Sequence, residues 1–120
     1  MRIAISAQGK DLDALVDPRF GRARFFVIMD TVTGEWSVAD NVQNLNAAQG
    51  AGIQAGRTIV EQGVEALITG HVGPKAFATL LAGGVKVYTG ANGAVSQAVE
   101  QFKAGQLKPS TGADVEGHWV

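Results

Sequence analysis

Residues 66–75 of this chain read Ala-Leu-Ile-Thr-Gly-His-Val-Gly-Pro-Lys, and this stretch decides the fold. Its apolar start predicts a buried strand and its two glycines bound a tight turn. Pro74 favours a helix start, because its missing N–H would have no partner there. The free N–H groups and partial positive charge of a helix start suit an anion, with His71 and Lys75 beside it. In isolation such a turn more often only packs well, so the interpretation depends on the surrounding sequence.

The strand and turn of this stretch occur twice in the second half of the chain. Residues 63–70 are echoed by residues 84–90, each ending in Thr-Gly and each followed by a turn and a helical pattern. Two successive strand–helix units predict parallel strands joined by right-handed crossovers. The corners Thr69-Gly70 and Thr89-Gly90, here called the two Thr-Gly corners, should therefore lie side by side at the carboxyl edge of the sheet. Open α/β sheets bind ligands at that edge.

The first half of the chain predicts three more strands and one helix. Apolar patterns predict strands at 2–7, 24–30 and 35–40, the last two forming a hairpin, and the strand at 24–30 is apolar on both faces. A helical pattern runs from about residue 47 to 62 and ends before Gly63. The sequence thus predicts a single α/β domain. The residues predicted to face the core from the two later helices are Phe77, Leu80, Leu81, Val95, Ala98, Val99 and Phe102.

Length, charge and composition exclude several classes of protein. The 120 residues fit one domain, no apolar run approaches the ~20 residues of a bilayer span, and the net charge of −1 gives no general attraction to nucleic acid. The absence of cysteine excludes disulfides, thiolate metal sites and cysteine nucleophiles. The strand-like start does not resemble a signal sequence, so we expect a cytoplasmic protein that binds neither membranes nor nucleic acids.

The chain contains few of the motifs that enzymes use. It has no Gly-x-Ser-x-Gly elbow, no Walker motif and no Gly-x-Gly-x-x-Gly turn after a strand. Of its two histidines one lies near the C-terminus, which makes a catalytic triad improbable. We therefore predict no catalytic residues and no enzymatic activity. Two alternatives to a binding domain for an anionic cofactor stay open: an interaction module with a vestigial pocket, and a small nucleotide- or phosphate-binding domain.

The loop at residues 8–22 is long for a compact domain, and loops of this length are usually functional or disordered. It carries Arg19-Phe20-Gly21-Arg22, whose guanidinium groups would donate charge-assisted bonds to an anion. His71 is the one candidate metal ligand, because imidazole suits copper and iron. The residues predicted to bind the anion are Arg19, Phe20, Gly21, Arg22, Gln49, Gly50, Gly70, His71, Val72, Gly73, Pro74, Lys75, Thr89, Gly90 and Ala91.

Five short motifs, taken in order, resemble the dinitrogenase iron–molybdenum cofactor biosynthesis family, in its NifX and NifB C-terminal type. The resemblance covers about residues 1–107. The motifs are Arg19 to Ala23, Gly50 to Gly52, Thr69 to Ala76, Gly84 to Tyr88 and Ala98 to Leu107. The resemblance implies a ribonuclease H-like α/β fold, with a five-stranded mixed sheet flanked by helices. It also implies binding or carriage of a metal–sulfur cofactor rather than turnover.

The resemblance further implies the kind of ligand. A mixed molybdenum–copper sulfide cluster, held without covalent attachment, brings its own sulfur and needs only a cationic cradle, which agrees with a chain that lacks cysteine. Partner proteins in a complex are a further expectation. Gln49 departs from the family pattern, in which many relatives have histidine, so we expect it to offer a hydrogen bond to sulfide rather than a metal bond. Residues 108–120 lack periodicity and are predicted to be a flexible tail behind a binding domain at 1–107.

Overall fold

A five-stranded sheet organises the computed structural model, which describes residues 1–41 and 50–113. Along the described residues the strands are β1 (Arg2–Ala7), β2 (Phe25–Asp30), β3 (Trp36–Asp40), β4 (Ala66–Ile68) and β5 (Lys86–Tyr88), and the helices are α1 (Ala51–Glu61), α2 (Pro74–Ala82) and α3 (Val95–Lys103). The strand order is β3-β2-β1-β4-β5, with β1, β4 and β5 parallel and β2 antiparallel to both of its neighbours. The mixed α/β sheet expected from the sequence is confirmed.

Alternation along the strands divides the core between the two faces of the sheet. On one face Phe26, Ile28 and Leu67 pack with residues of α1 and α2. On the other face Ile5 and Val27 pack with residues of α3. Because β2 contributes to both cores, its continuous apolar run is explained, and burying each large aliphatic side chain contributes about 1.5–3 kcal/mol.

Two glycines of α1 serve helix packing. A Cβ atom on Gly52 would lie 3.1 Å from the Cβ of Ala76, and one on Gly56 would lie 3.0 Å from Cγ2 of Thr79. These glycines therefore let α1 approach α2 closely. The described helix begins after its N-cap, Gly50, which has a φ of 81°. The start predicted near residue 47 lies outside the described residues.

The predicted inward faces of the later helices are confirmed with one exception. Leu80, Val95, Ala98 and Val99 are buried. The prediction for Leu81 is wrong, because its side chain is 63% exposed. It lines a groove between α2 and β5, and β5 is the edge of the sheet, so no further strand from the described residues covers it.

The described segment that follows α3 contacts the edge strand. Pro109 forms an antiparallel bridge with Tyr88, and the Ser110 N–H donates to the Val87 carbonyl at 2.6 Å. These contacts cover part of the β5 edge. The flexible tail at 108–120 stays a prediction, since residues 114–120 lie outside the described part of the chain. No helix in the described residues is long and apolar enough to cross a membrane.

Candidate anion-binding site

The two Thr-Gly corners lie side by side at the carboxyl edge of the sheet, as the repeat predicts. The Gly90 N–H donates to the Gly70 carbonyl at 2.8 Å, and the Ala91 N–H donates to the Thr69 carbonyl at 3.2 Å. Gly90 has a φ of 84°, a left-handed conformation that glycine adopts without strain. Hydrogen bonding between the corners thus continues the β4–β5 pairing past the ends of both strands.

Residues 17–24, here called the arginine loop, cross the first of these corners. The His71 N–H donates to the Pro18 carbonyl at 2.8 Å, and the Phe20 N–H donates to the His71 carbonyl at 3.3 Å. A Cβ atom on Gly70 would lie 2.6 Å from the Cα of Pro18, so only glycine fits beneath the loop. The loop is therefore fixed directly above the corner that carries His71.

The far side of the arginine loop contacts the start of α1. A Cβ atom on Gly21 would lie 2.9 Å from the backbone N and Cα of Gly52, which makes glycine necessary here as well. Asn41 holds this side of the loop, donating through Nδ2 to the carbonyls of Ala23 at 2.8 Å and Gly21 at 3.3 Å. The loop thus lies between the first Thr-Gly corner and the N-terminal turn of α1.

Asp17 anchors the beginning of the arginine loop. Its N–H donates to the Ser6 carbonyl at 2.9 Å, and its Oδ1 accepts from the Arg19 N–H at 3.0 Å. Burial raises the pKa of the Asp17 carboxyl above its ordinary value, and the N–H and charge of Arg19 offset part of this effect. The side chain is 8% exposed, so its hydrogen bonds within the loop are well shielded from water.

A cavity of about 510 Å³ opens beside the loop. Its lining residues include three arginines and one aspartate, so together they carry a net positive charge although the whole chain carries a net charge of −1. Each guanidinium presents up to five N–H donors and stays charged at any physiological pH. The lining residues are Gln8, Asp17, Pro18, Arg19, Arg22 and Arg24.

The structure brings some of the predicted site residues to this cavity and gives others a different role. Arg19 and Arg22 line it. Phe20 and Val72 are fully buried in the core beneath α1 and α2, and Ala91 is buried on the opposite face of the sheet. The rings of Phe20 and Phe26 are 5.3 Å apart. These apolar side chains therefore belong to the two cores of the sheet and are not among the residues that line the cavity.

The remaining predicted residues lie around this centre. Gly73 is the N-cap of α2 and accepts from the Phe77 N–H at 3.0 Å; Pro74 and Lys75 follow in the first turn. Lys75 is exposed and is not among the cavity-lining residues. Thr89 and Gly90 form the second corner, and Gly50 caps α1. Gln49 lies outside the described residues.

Four residues of the cavity, Gln8, Asp17, Pro18 and Arg24, were not predicted from the sequence. Arg24 follows Arg22 at a spacing of two, and that spacing was the signal that could have identified it. Gln8 and Asp17 carry no local signal, because only the fold of the loop brings them beside the arginines. In the described residues no three His, Asp or Glu side chains converge on a metal position, so His71 stays a predicted ligand.

The sequence pattern of a family described as dinitrogenase iron–molybdenum cofactor matches residues 1–105. The chain belongs to this family. Among solved structures it is similar to the apo form of the orange protein from Desulfovibrio gigas, with 43% identity, 95% of this chain and 96% of that chain covered, and a TM-score of 0.93. The family is of a cofactor-binding type, as the resemblance implied.

Two further relatives extend the comparison. A putative NifB protein from Thermotoga has 42% identity, with 97% of this chain and 98% of that chain covered, and a TM-score of 0.83. An uncharacterised protein of Methanocaldococcus jannaschii is 28% identical over 110 residues, which cover 90% of each chain. Both are similar over nearly their whole length, so the family relationship extends over the arginine loop and both Thr-Gly corners.

Proposed function

We propose that this protein binds and carries a preformed molybdenum-containing metal–sulfur anion, without covalent attachment and without catalysing a reaction. A mixed molybdenum–copper sulfide cluster is the proposed cargo. The observation that carries the proposal is the cavity of about 510 Å³ lined by Arg19, Arg22 and Arg24. Its volume lies within the roughly 300–1,000 Å³ common for small-ligand sites.

The donors at this site suit a sulfide-rich anion. Such a cluster presents polarisable, negatively charged sulfur atoms, which accept N–H bonds from guanidinium groups. Because it supplies its own sulfur, it needs no cysteine, and this chain has none. The fit rests on charge and hydrogen-bond donors rather than on a protein ligand set.

The predicted residues take five roles in this proposal. Arg19, Arg22 and Lys75 supply positive charge. Gly70 permits the arginine loop to pass close above it, and Gly73 and Gly90 permit close approach of the backbone to the anion. Phe20 and Val72 exclude water from one face of the sheet and Ala91 from the other, and His71 offers a soft contact to copper. Gly50 offers its backbone at the start of α1, and a hydrogen bond from Gln49, which lies outside the described residues, stays a prediction.

The family relationship supports this proposal independently of the cavity. The similar structure from Desulfovibrio gigas is described as an apo form, and the family is named for the iron–molybdenum cofactor of dinitrogenase. We also propose that the fold is of the ribonuclease H-like class, and the strand order β3-β2-β1-β4-β5 with β2 as the antiparallel strand supports this proposal.

The test is reconstitution. The protein is mixed with tetrathiomolybdate and copper, then desalted, and its absorption spectrum and metal content are measured. We expect visible charge-transfer bands and a fixed ratio of molybdenum and copper to protein. The double variant Arg19→Ala/Arg22→Ala should bind at least about tenfold more weakly at low salt, since two charge-assisted contacts are lost.

Arg57→Ala is the matched control, because Arg57 is an exposed arginine on α1 outside the cavity lining. It should retain the cluster as the unmodified chain does. A folded protein that stays colourless and metal-free contradicts the proposal. Binding of ATP or inorganic phosphate at the same arginines, without retention of the cluster, would favour a phosphate-binding domain instead.

A further inference from the structure

A buried chain of hydroxyl groups lies beneath the arginine loop. Ser6 and Thr69 are both fully buried at the carboxyl ends of the neighbouring strands β1 and β4. Ser6 Oγ lies 2.8 Å from the Asp17 carbonyl oxygen and 2.8 Å from Thr69 Oγ1. Strand ends in the centre of a sheet more commonly carry apolar residues, so two adjacent hydroxyls at this position require an explanation.

The chemistry of these groups fixes the direction in which each hydrogen bond is donated. The Asp17 carbonyl oxygen can only accept, so the single hydroxyl hydrogen of Ser6 is donated to it. Ser6 Oγ must then accept from the Thr69 hydroxyl. Thr69 therefore donates to Ser6, and Ser6 donates to Asp17.

Backbone hydrogen bonds of the same residues extend this network to the arginine loop and to both Thr-Gly corners. The Asp17 N–H donates to the Ser6 carbonyl, and the Asp17 carbonyl accepts from Ser6 Oγ. Ser6 therefore binds both polar backbone groups of Asp17. The Thr69 carbonyl accepts from Ala91, beside the second Thr-Gly corner. Asp17 in turn accepts from the Arg19 N–H. One connected network thus joins both corners to the start of the arginine loop.

We propose that Ser6 and Thr69 are positioning residues for the anion-binding site. They hold the arginine loop in register above the sheet, acting through Asp17, and do not touch the ligand themselves. In a low-dielectric interior such a network has one satisfied arrangement, so it specifies the loop geometry more sharply than apolar packing would. The inference rests on the proposed function for its ligand, but the state of the loop can be measured without any ligand.

The test uses Ser6→Ala, Thr69→Val and Thr69→Ser. Ser6→Ala removes the donor to Asp17 and the partner of Thr69, so tetrathiomolybdate affinity should fall about fivefold to tenfold, in line with one lost buried hydrogen bond. Thr69→Val leaves the Ser6 donation intact and should have a smaller effect. Thr69→Ser retains the hydroxyl and should bind tetrathiomolybdate as the unmodified protein does. Ser6→Cys, of nearly the same shape, replaces Ser6→Ala if that variant does not fold.

Amide hydrogen exchange provides the second readout. In Ser6→Ala the amides of Asp17, Arg19 and Phe20 should lose protection, while amides of α3 keep theirs. Ile59→Val, a core change beneath α1, is the control for general destabilisation and should leave both loop protection and affinity unchanged. Unchanged protection in Ser6→Ala overturns the inference. Failure of the unmodified protein to bind tetrathiomolybdate overturns the proposed function and leaves the exchange result interpretable.

Discussion

Gly70 and Asp17 show how single residues define this site without supplying its positive charge. At Gly70 the chain of the arginine loop passes so close that any side chain would overlap Pro18. At Asp17 a carboxylate is buried beside three arginines and is used to hold the backbone of the loop. Both residues position the arginines of the loop and do not themselves attract an anion. The net charge of the chain therefore does not reveal the site.

Asp17 makes the stability of the protein depend on pH in a defined direction. Because its pKa is raised in the folded state, the folded protein binds this proton more readily than the unfolded chain does. Its ionisation therefore lowers the free energy of unfolding as pH rises from the ordinary carboxyl range through the raised pKa. Compared with Asp17→Asn, the unmodified protein should lose relative stability over that interval in urea denaturation.

Asp30 is the control for this measurement. It accepts from the N–H groups of Val32 and Thr33 in the hairpin turn, and these bonds lower its pKa. Its contribution has the opposite sign, since stability is lost as pH falls through the lowered pKa. Asp30→Asn should accordingly show the reverse trend against the unmodified protein. Parallel pH curves for the two variants would contradict both assignments.

At the scale of secondary-structure elements, the position of α2 over the edge of the sheet decides which of its apolar residues are core. Leu80 and Leu81 are adjacent and chemically identical, yet the first is fully buried and the second is 63% exposed. The helix turns by 100° between them, and the sheet ends at β5. Apolar periodicity identified the helix, but not the limit of the surface that it covers.

This difference predicts unequal costs for two matched substitutions. Leu80→Ala should lower the free energy of unfolding by about 2–5 kcal/mol, since it opens a cavity between α2 and the sheet. Leu81→Ala should change it by no more than about 0.5 kcal/mol, because an exposed side chain loses little packing. Chemical denaturation of both variants checks the pair. Equal losses would show that the groove between α2 and β5 is covered in solution.

At the scale of the whole molecule, topology places a group of arginines that are close in sequence at the carboxyl edge of the sheet. β1 and β4 are parallel and adjacent, so the segments leaving both strands meet at one edge. The segment that leaves β1 leads into the arginine loop, which crosses the corner that leaves β4. A chain with a net charge of −1 thereby presents a cavity lined by three arginines.

A local field of this kind predicts salt-sensitive binding. Raising the ionic strength from roughly 0.01 M to 0.1 M shortens the screening length from about 30 Å to 10 Å, so tetrathiomolybdate should bind several-fold more weakly. Arg24→Ala should reduce this dependence, whereas Arg57→Ala should preserve it. Titrations at several salt concentrations test this prediction. A salt-independent affinity would show that apolar contacts, and not the arginines, hold the anion.

The sequence by itself determined the strand and helix order, the hydrophobic faces and the pairing of the two Thr-Gly corners. These features follow from local periodicity and from the chirality of strand–helix–strand crossovers. It also identified Arg19 and Arg22, because they stand together beside a proline and a glycine.

Only the tertiary structure decided which residues share the cavity and which support it from below. Gln8 and Asp17 lie beside Arg19 and Arg22 because the loop folds back on itself, and nothing local to their positions indicates this. Phe20 belongs to the core although its neighbours in sequence line the cavity. Such contacts depend on long-range packing and on non-local hydrogen bonds such as that of Ser6 with Asp17, which sequence periodicity does not encode.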